Sequence, residues 1–210
     1  MSRVRMKFQS GYTLIELMIG MAVGLIVLSG ALFLYLQIFN VSKTTLASTQ
    51  LNRELSILLD TMSGEIRRHG YSAQGSNSYY QTTSSALDVN VSGDCILYGY
   101  DVNSDDADSS ADSTDQKGFR LDSGVIHTKA DESANCDPVF DKTHWTAITD
   151  ESVMDISDLT ITLNAVSTAN GSVTVYTRTV DLSITASHAT ESLSSTKSVS
   201  ILIPNNYVED

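Results

Sequence analysis

From Leu17 to Ile38 the chain carries no charged residue, and this run sets its first element. The 20 positions from Leu17 to Leu36 span about 30 Å as a helix, enough to cross the hydrocarbon core of a bilayer. Past Ile38 the apolar positions become periodic. Leu51, Leu55, Leu58, Met62 and Ile66 recur at steps of 4, 3, 4 and 4, which marks one stripe of a helix that has a core to pack on. The pattern predicts a helix from about Tyr12 to His69, with Gly70 as its stop. Residues 71–94 are rich in Ser, Thr, Gly, Asn and Tyr and read as a surface connection. The last third is β by pattern. Leu159, Ile161 and Leu163 alternate with polar residues, Asn170-Gly171 is a hairpin signal, and Val173 to Ala186 follows as a second strand. Val199, Ile201 and Ile203 give a third. The expected fold is α+β, with the helix stripe packed on a meander of three or four antiparallel strands.

Hydrophobic residues make up 41% of the 210, but that average hides the segregation. Asp101 to Asp115 holds six aspartates and no basic residue, so it belongs in water as clearly as the apolar run belongs in lipid. A formal net charge of -12 argues against direct nucleic-acid binding, whose footprint is a basic patch. The densest basic cluster is Arg3, Arg5 and Lys7, ahead of the apolar run. That asymmetry predicts a cytoplasmic N-terminus with the bulk of the chain across the membrane.

Cys95 and Cys136 are the only cysteines, and both lie beyond the apolar segment. Carried across a membrane, they enter a compartment that permits a disulfide. Closing a loop of about 42 residues is worth roughly 4 kcal/mol in the chain-entropy picture. His69, His127, His144 and His188 show no metal-ligand spacing. With no nucleophile elbow, phosphate-cradling glycine loop or redox C-x-x-C either, the chain is not expected to be an enzyme. Trp145 is read as a core or cysteine-packing residue.

Glu16 is the anomaly at the head of the apolar helix. A carboxylate placed deep in a membrane costs about 2–3 kcal/mol, which marks it as functional. Placed at the interface, it would sit near the favourable positive end of the helix dipole. Its neighbours decide between the two. After the short basic stretch the chain reads Gly11-Tyr12-Thr13-Leu14-Ile15-Glu16-Leu17-Met18. This resembles the class III signal of type IV prepilins and pseudopilins, with Tyr12 where the family usually has Phe. The resemblance implies cleavage between Gly11 and Tyr12 by a prepilin peptidase and methylation of the new amine at Tyr12. It also implies a role for Glu16 in meeting the N-terminal amine of a neighbouring subunit. Unpaired, both groups are costly in lipid, so pairing them gives subunits a register. Removal of residues 1–11 takes away three positive charges and leaves -15. Gly20 and Gly24 form a small-xxx-small pair suited to close helix packing.

The resemblance implies this layout: a leader at 1–11, a transmembrane or filament-core helix at 12–40 and an amphipathic half at 41–69. An extracytoplasmic head follows at 70–210, with the acidic loop at 101–115 and the sheet at 158–204. Glu65-Ile66-Arg67-Arg68-His69-Gly70-Tyr71 resembles the helix exit of PilW-type minor pilins. Cys95 to Asn103, Gly118 to Leu121, and Cys136 with Trp145 to Asp150 resemble, in order, the rest of such heads. A J-type pseudopilin of type II secretion shares the N-terminus, and a pilus-displayed adhesin or calcium-binding module is the other alternative. The implied role is a minor pilin that helps initiate type IV pilus assembly, near the tip. Its partners would be the prepilin peptidase, other minor pilins and the major pilin. It would reside in the inner membrane before assembly and on the cell surface after it.

The acidic loop carries a separate expectation. Asp101, Asn103 and Asp105 have the spacing of the first three ligands of a calcium loop, with Ser109 and Asp112 at the ninth and twelfth positions. Asp106 stands where the turn glycine belongs, and Asp112 is shorter than the usual bidentate Glu. A solvated acidic loop is the competing reading.

Overall fold

A computed structural model describes residues 11, 13–72, 87–102, 115–131, 133–170, 173–205 and 207–209. Helix α1 spans Leu14–Arg67, within the expected limits. The chain divides into two compact units, residues 1–46 and 47–210.

In the first unit the helix buries nothing. Its large apolar side chains, from Leu14 at 79% to Leu46 at 71%, are each more than half exposed. Ser29 Oγ donates to the Ile26 carbonyl at 2.8 Å, and Thr44 and Thr45 donate to the carbonyls of Asn40 and Val41. The hydroxyls are thus satisfied within the helix, as an apolar surround requires.

In the second unit the same helix gains a core. Leu51, Leu55, Leu58, Met62 and Ile66 are all buried, as the periodicity predicts. The first sheet is a five-stranded antiparallel meander, β1 (Asp88–Val89), β2 (Cys95–Gly99), β3 (Gln116–Asp122), β4 (Val125–Lys129) and β5 (Trp145–Ala147). The second holds β6 (Met154–Asn170), β7 (Val173–His188) and β8 (Ser194–Leu202), with β9 (Tyr207–Glu209) paired to β7 beyond the end of β8. Ile96, Tyr98, Phe119 and Ile126 of the first sheet join Ile156, Leu159, Ile161, Val180, Leu182, Ile184 and Ile201 of the second around the helix stripe.

The sheet of 158–204 is therefore present but longer, and the sheet ahead of it was not expected. Strands of two to seven residues are too short to show alternation, and β2 is buried on nearly every position. The two sheets meet at β6, where Ile156 N–H donates to the Gly124 carbonyl and Ile161 N–H to the Gly93 carbonyl. Gly93 has φ 75°, and a Cβ there would sit 3.1 Å from the Ile161 oxygen, so the approach depends on glycine. A bulge between Ile156 and Asp158 turns both N–H groups to the same edge.

Helix α1 ends by the same device. Gly70 has φ 77° and its N–H donates to the Gly99 carbonyl. Leu55 has no exposed surface, so Leu55→Ala should cost about 3 kcal/mol in the unfolding free energy of the head. A loss under 1 kcal/mol in a denaturant titration would contradict the packing described.

Candidate functional site

The N-terminal segment is built from local chemistry. Gly11 is exposed, and Tyr12 and residues 1–10 lie outside the described residues. Thr13 caps the helix: its Oγ1 accepts from Glu16 N–H at 3.4 Å, and its carbonyl accepts from the same group at 3.1 Å. Thr13-Leu14-Ile15-Glu16 has capping-box spacing, a signal the prepilin reading of Glu16 passed over. Glu16 occupies the third helical position, where the helix dipole favours an anion. From Thr13 to Ser42 it is the only charged residue. Gly20 and Gly24 open onto free space, since an added Cβ at either would meet nothing within 4 Å.

In the head, Cys95 and Cys136 are joined in a disulfide with Cα atoms 5.7 Å apart. Trp145 and Ala134 pack with Cys95, and Phe140, Leu97 and Cys136 border them. The Arg120 guanidinium lies 5.1 Å from the centre of the Phe140 ring, and its Nη1 donates to the Asn135 carbonyl. Of the calcium-loop residues, Asp101 is buried and its N–H donates to the Tyr71 carbonyl at 2.9 Å. Asn103, Asp105, Ser109 and Asp112 lie outside the described residues. Among the described residues no group of three metal-ligating side chains comes together.

The four histidines serve four local jobs. His144 Nδ1 lies 2.8 Å from Asp131, which raises its pKa. His127 Nδ1 lies 3.1 Å from the Val125 carbonyl, and His188 Nδ1 accepts from the Thr190 and Glu191 N–H groups. His69 is the residue whose role was not foreseen. It is fully buried just past the helix end, where Nδ1 accepts from Gly99 N–H at 3.2 Å and its carbonyl accepts from Asn205 Nδ2 at 2.9 Å. It thereby ties the helix to the first sheet and to the C-terminal segment. Burial, and then the Arg178 charge, push its pKa down to about 3. Alongside, the Tyr100 hydroxyl donates to Glu65 Oε2 at 2.6 Å, and Arg68 lies 4.2 Å from the centre of the Tyr100 ring. Burial, and then Glu65, raise the Tyr100 phenol pKa.

A groove of about 470 Å³ opens between Ile57, Thr61 and Glu65 of the helix and Tyr98, Lys117 and Phe119 of the first sheet. Its walls are mixed, with carboxylates on the helix and lysines on the sheet.

Two family matches place the chain among type IV pilin-like prepilins. A prokaryotic N-terminal methylation motif matches residues 6–32, which span Gly11, Tyr12 and Glu16. The family model for prepilin peptidase-dependent protein B matches residues 44–203, and the chain belongs to that family. It is thus a pilin or pseudopilin processed by prepilin peptidase. The apolar helix and the motif fit a protein anchored in the inner membrane. No curated protein and no solved structure matched the chain.

Proposed function

We propose that the chain is a minor pilin of the PilW type that takes part in initiating type IV pilus assembly, near the tip. The observation that carries this reading is Glu16, the single charge between Thr13 and Ser42, in a stretch of helix whose large apolar side chains are all exposed. A helix of that kind is stable in lipid or among other helices. Cleavage between Gly11 and Tyr12 exposes an amine four residues from Glu16. Methylation of that amine keeps its charge, so it remains a partner for a carboxylate in a low-dielectric filament core. Before assembly the N-terminus lies in the cytoplasm and the head in the periplasm; after it, the head is displayed at the cell surface. Other minor pilins and the major pilin are the proposed partners, through the helix. The protein has no catalytic role in this reading.

Glu16→Val should leave processing intact and reduce piliation at least tenfold. Mass spectrometry of the N-terminus and counts of surface filaments would check the two halves separately. Normal piliation in the variant would sink the pairing, and a chain still starting at Met1 would sink the processing. A pseudopilin of the J type shares this N-terminus. Restoration of secretion, rather than of pili, in a complementation assay would assign the chain to that machinery.

A further inference from the structure

The β6–β7 hairpin runs past the core that supports its base. On the β7 side its edge is covered, by β8 from Thr179 to Ser187 and by β9 from Thr174 to Tyr176. On the β6 side coverage stops at Ile161, whose N–H donates to the Gly93 carbonyl. Leu163, Ala165, Ser167 and Ala169 present their backbone groups to that same edge, by the two-residue period of a strand. None of them has a backbone partner there among the described residues. Native proteins blunt such edges with charges, proline or bulges. The stretch Thr162 to Asn170 has no charge and no proline, and the one bulge of β6 lies earlier, between Ile156 and Asp158.

We infer that this edge is an interface between two copies of the chain, paired antiparallel through β6. A second copy satisfies that edge in register. A two-fold axis at Val166 sets Leu163 opposite Ala169 of the other copy and Ala165 opposite Ser167. Every edge-facing backbone group then finds a partner, giving about eight hydrogen bonds. The same axis places Val166 against its own image as a non-hydrogen-bonded pair, where side chains are closest. Val166 is 68% exposed, and among the described residues of this hairpin it is the exposed large hydrophobic side chain. Ala165, Ser167 and Ala169 are small and leave the other face unobstructed. The absence of charge matters in a chain of net charge -12, because two copies meet here without opposing carboxylates. Asp181, one strand inward, is held by Asn164 Nδ2 at 2.8 Å. The two joined hairpins form one continuous sheet and remove both exposed edges, which is how isologous interfaces close. The pairing does not depend on filament assembly.

The test uses the full chain in detergent micelles. Val166→Cys adds one thiol beside the existing disulfide, and the proposed pairing brings two such residues within disulfide reach. Thr160→Cys, exposed on the same strand but outside the paired register, is the control. Under mild oxidation the Val166→Cys chain should give a reducible dimer at least ten times more abundant than the control. Adding Ala165→Pro, which removes one edge-facing N–H and leaves the ladder to β7, should lower that yield at least tenfold. Val166→Lys, a change on the surface that leaves the core alone, should convert dimer to monomer in sedimentation. Equal cross-linking of the two cysteine variants would overturn the inference, since helix association alone would produce it. So would a Val166→Lys chain that still sediments as a dimer, or Val166→Cys cross-links in cells made only to a different polypeptide.

Discussion

Between pH 6.5 and pH 4 the head should lose about 3 kcal/mol of stability through His69 alone. The unfolded chain protonates this imidazole near its ordinary value of 6.5, whereas the folded chain resists until about pH 3. In that window the unfolded state binds the extra proton, so acid favours unfolding. The contribution is complete above pH 6.5 and falls away as the pH approaches 3. Three facts hold the ring neutral: it is fully buried, Arg178 lies close enough to oppose a second positive charge, and Nδ1 is already an acceptor for Gly99 N–H. Protonation of Nδ1 would turn that acceptor into a donor facing a donor. His69→Asn should lower stability at pH 7 and flatten the acid limb relative to the parent. Denaturant titrations at pH 7, 5.5 and 4 would check it, with the difference between the two chains cancelling the carboxylates common to both. Parallel pH curves would show that the folded ring takes up its proton over the same range as the unfolded one, which would overturn the lowered pKa.

Cys136→Ser should cost roughly 4 kcal/mol, the largest single loss expected in the head. The disulfide spans 41 positions and closes a loop that contains all of β3 and β4. Without it the unfolded chain gains the freedom of that whole segment. The local cluster depends on it too, because Trp145 and Ala134 pack with Cys95. A fall in the unfolding free energy of less than 1 kcal/mol on substitution would mean that packing alone fixes the loop. Reduction of the parent protein should reproduce the loss, and the serine variant should be indifferent to reductant.

The helix and the second sheet were legible in the sequence because both carry a period that burial imposes. Leu51 to Ile66 repeat as a buried stripe must. Even the bulge in β6 leaves a trace, since the buried positions shift from Met154 and Ile156 to Leu159 and Ile161, a slip of one residue. The first sheet was not legible. Its strands are short, and residues such as Gly118 and Arg120 inside β3 break any simple alternation. The N-terminal segment could be read because its chemistry is contiguous, from Gly11 to Glu16. The clamp at His69 could not, since its partners Gly99 and Asn205 lie 30 and 136 positions away. Calcium binding stays where the sequence left it, because four of its five proposed ligands lie outside the described residues.

The cross-link between Cys95 and Cys136 also decides how the head would respond to being pulled. Tension that enters along the helix and leaves through the second sheet cannot extend the segment between the two cysteines, because the covalent bond bypasses it. At about 3.5 Å per extended residue, the 41-position span withholds roughly 140 Å of slack. A head strained on a filament would lengthen less before its strands separate, and β3 and β4 would stay out of the load path altogether.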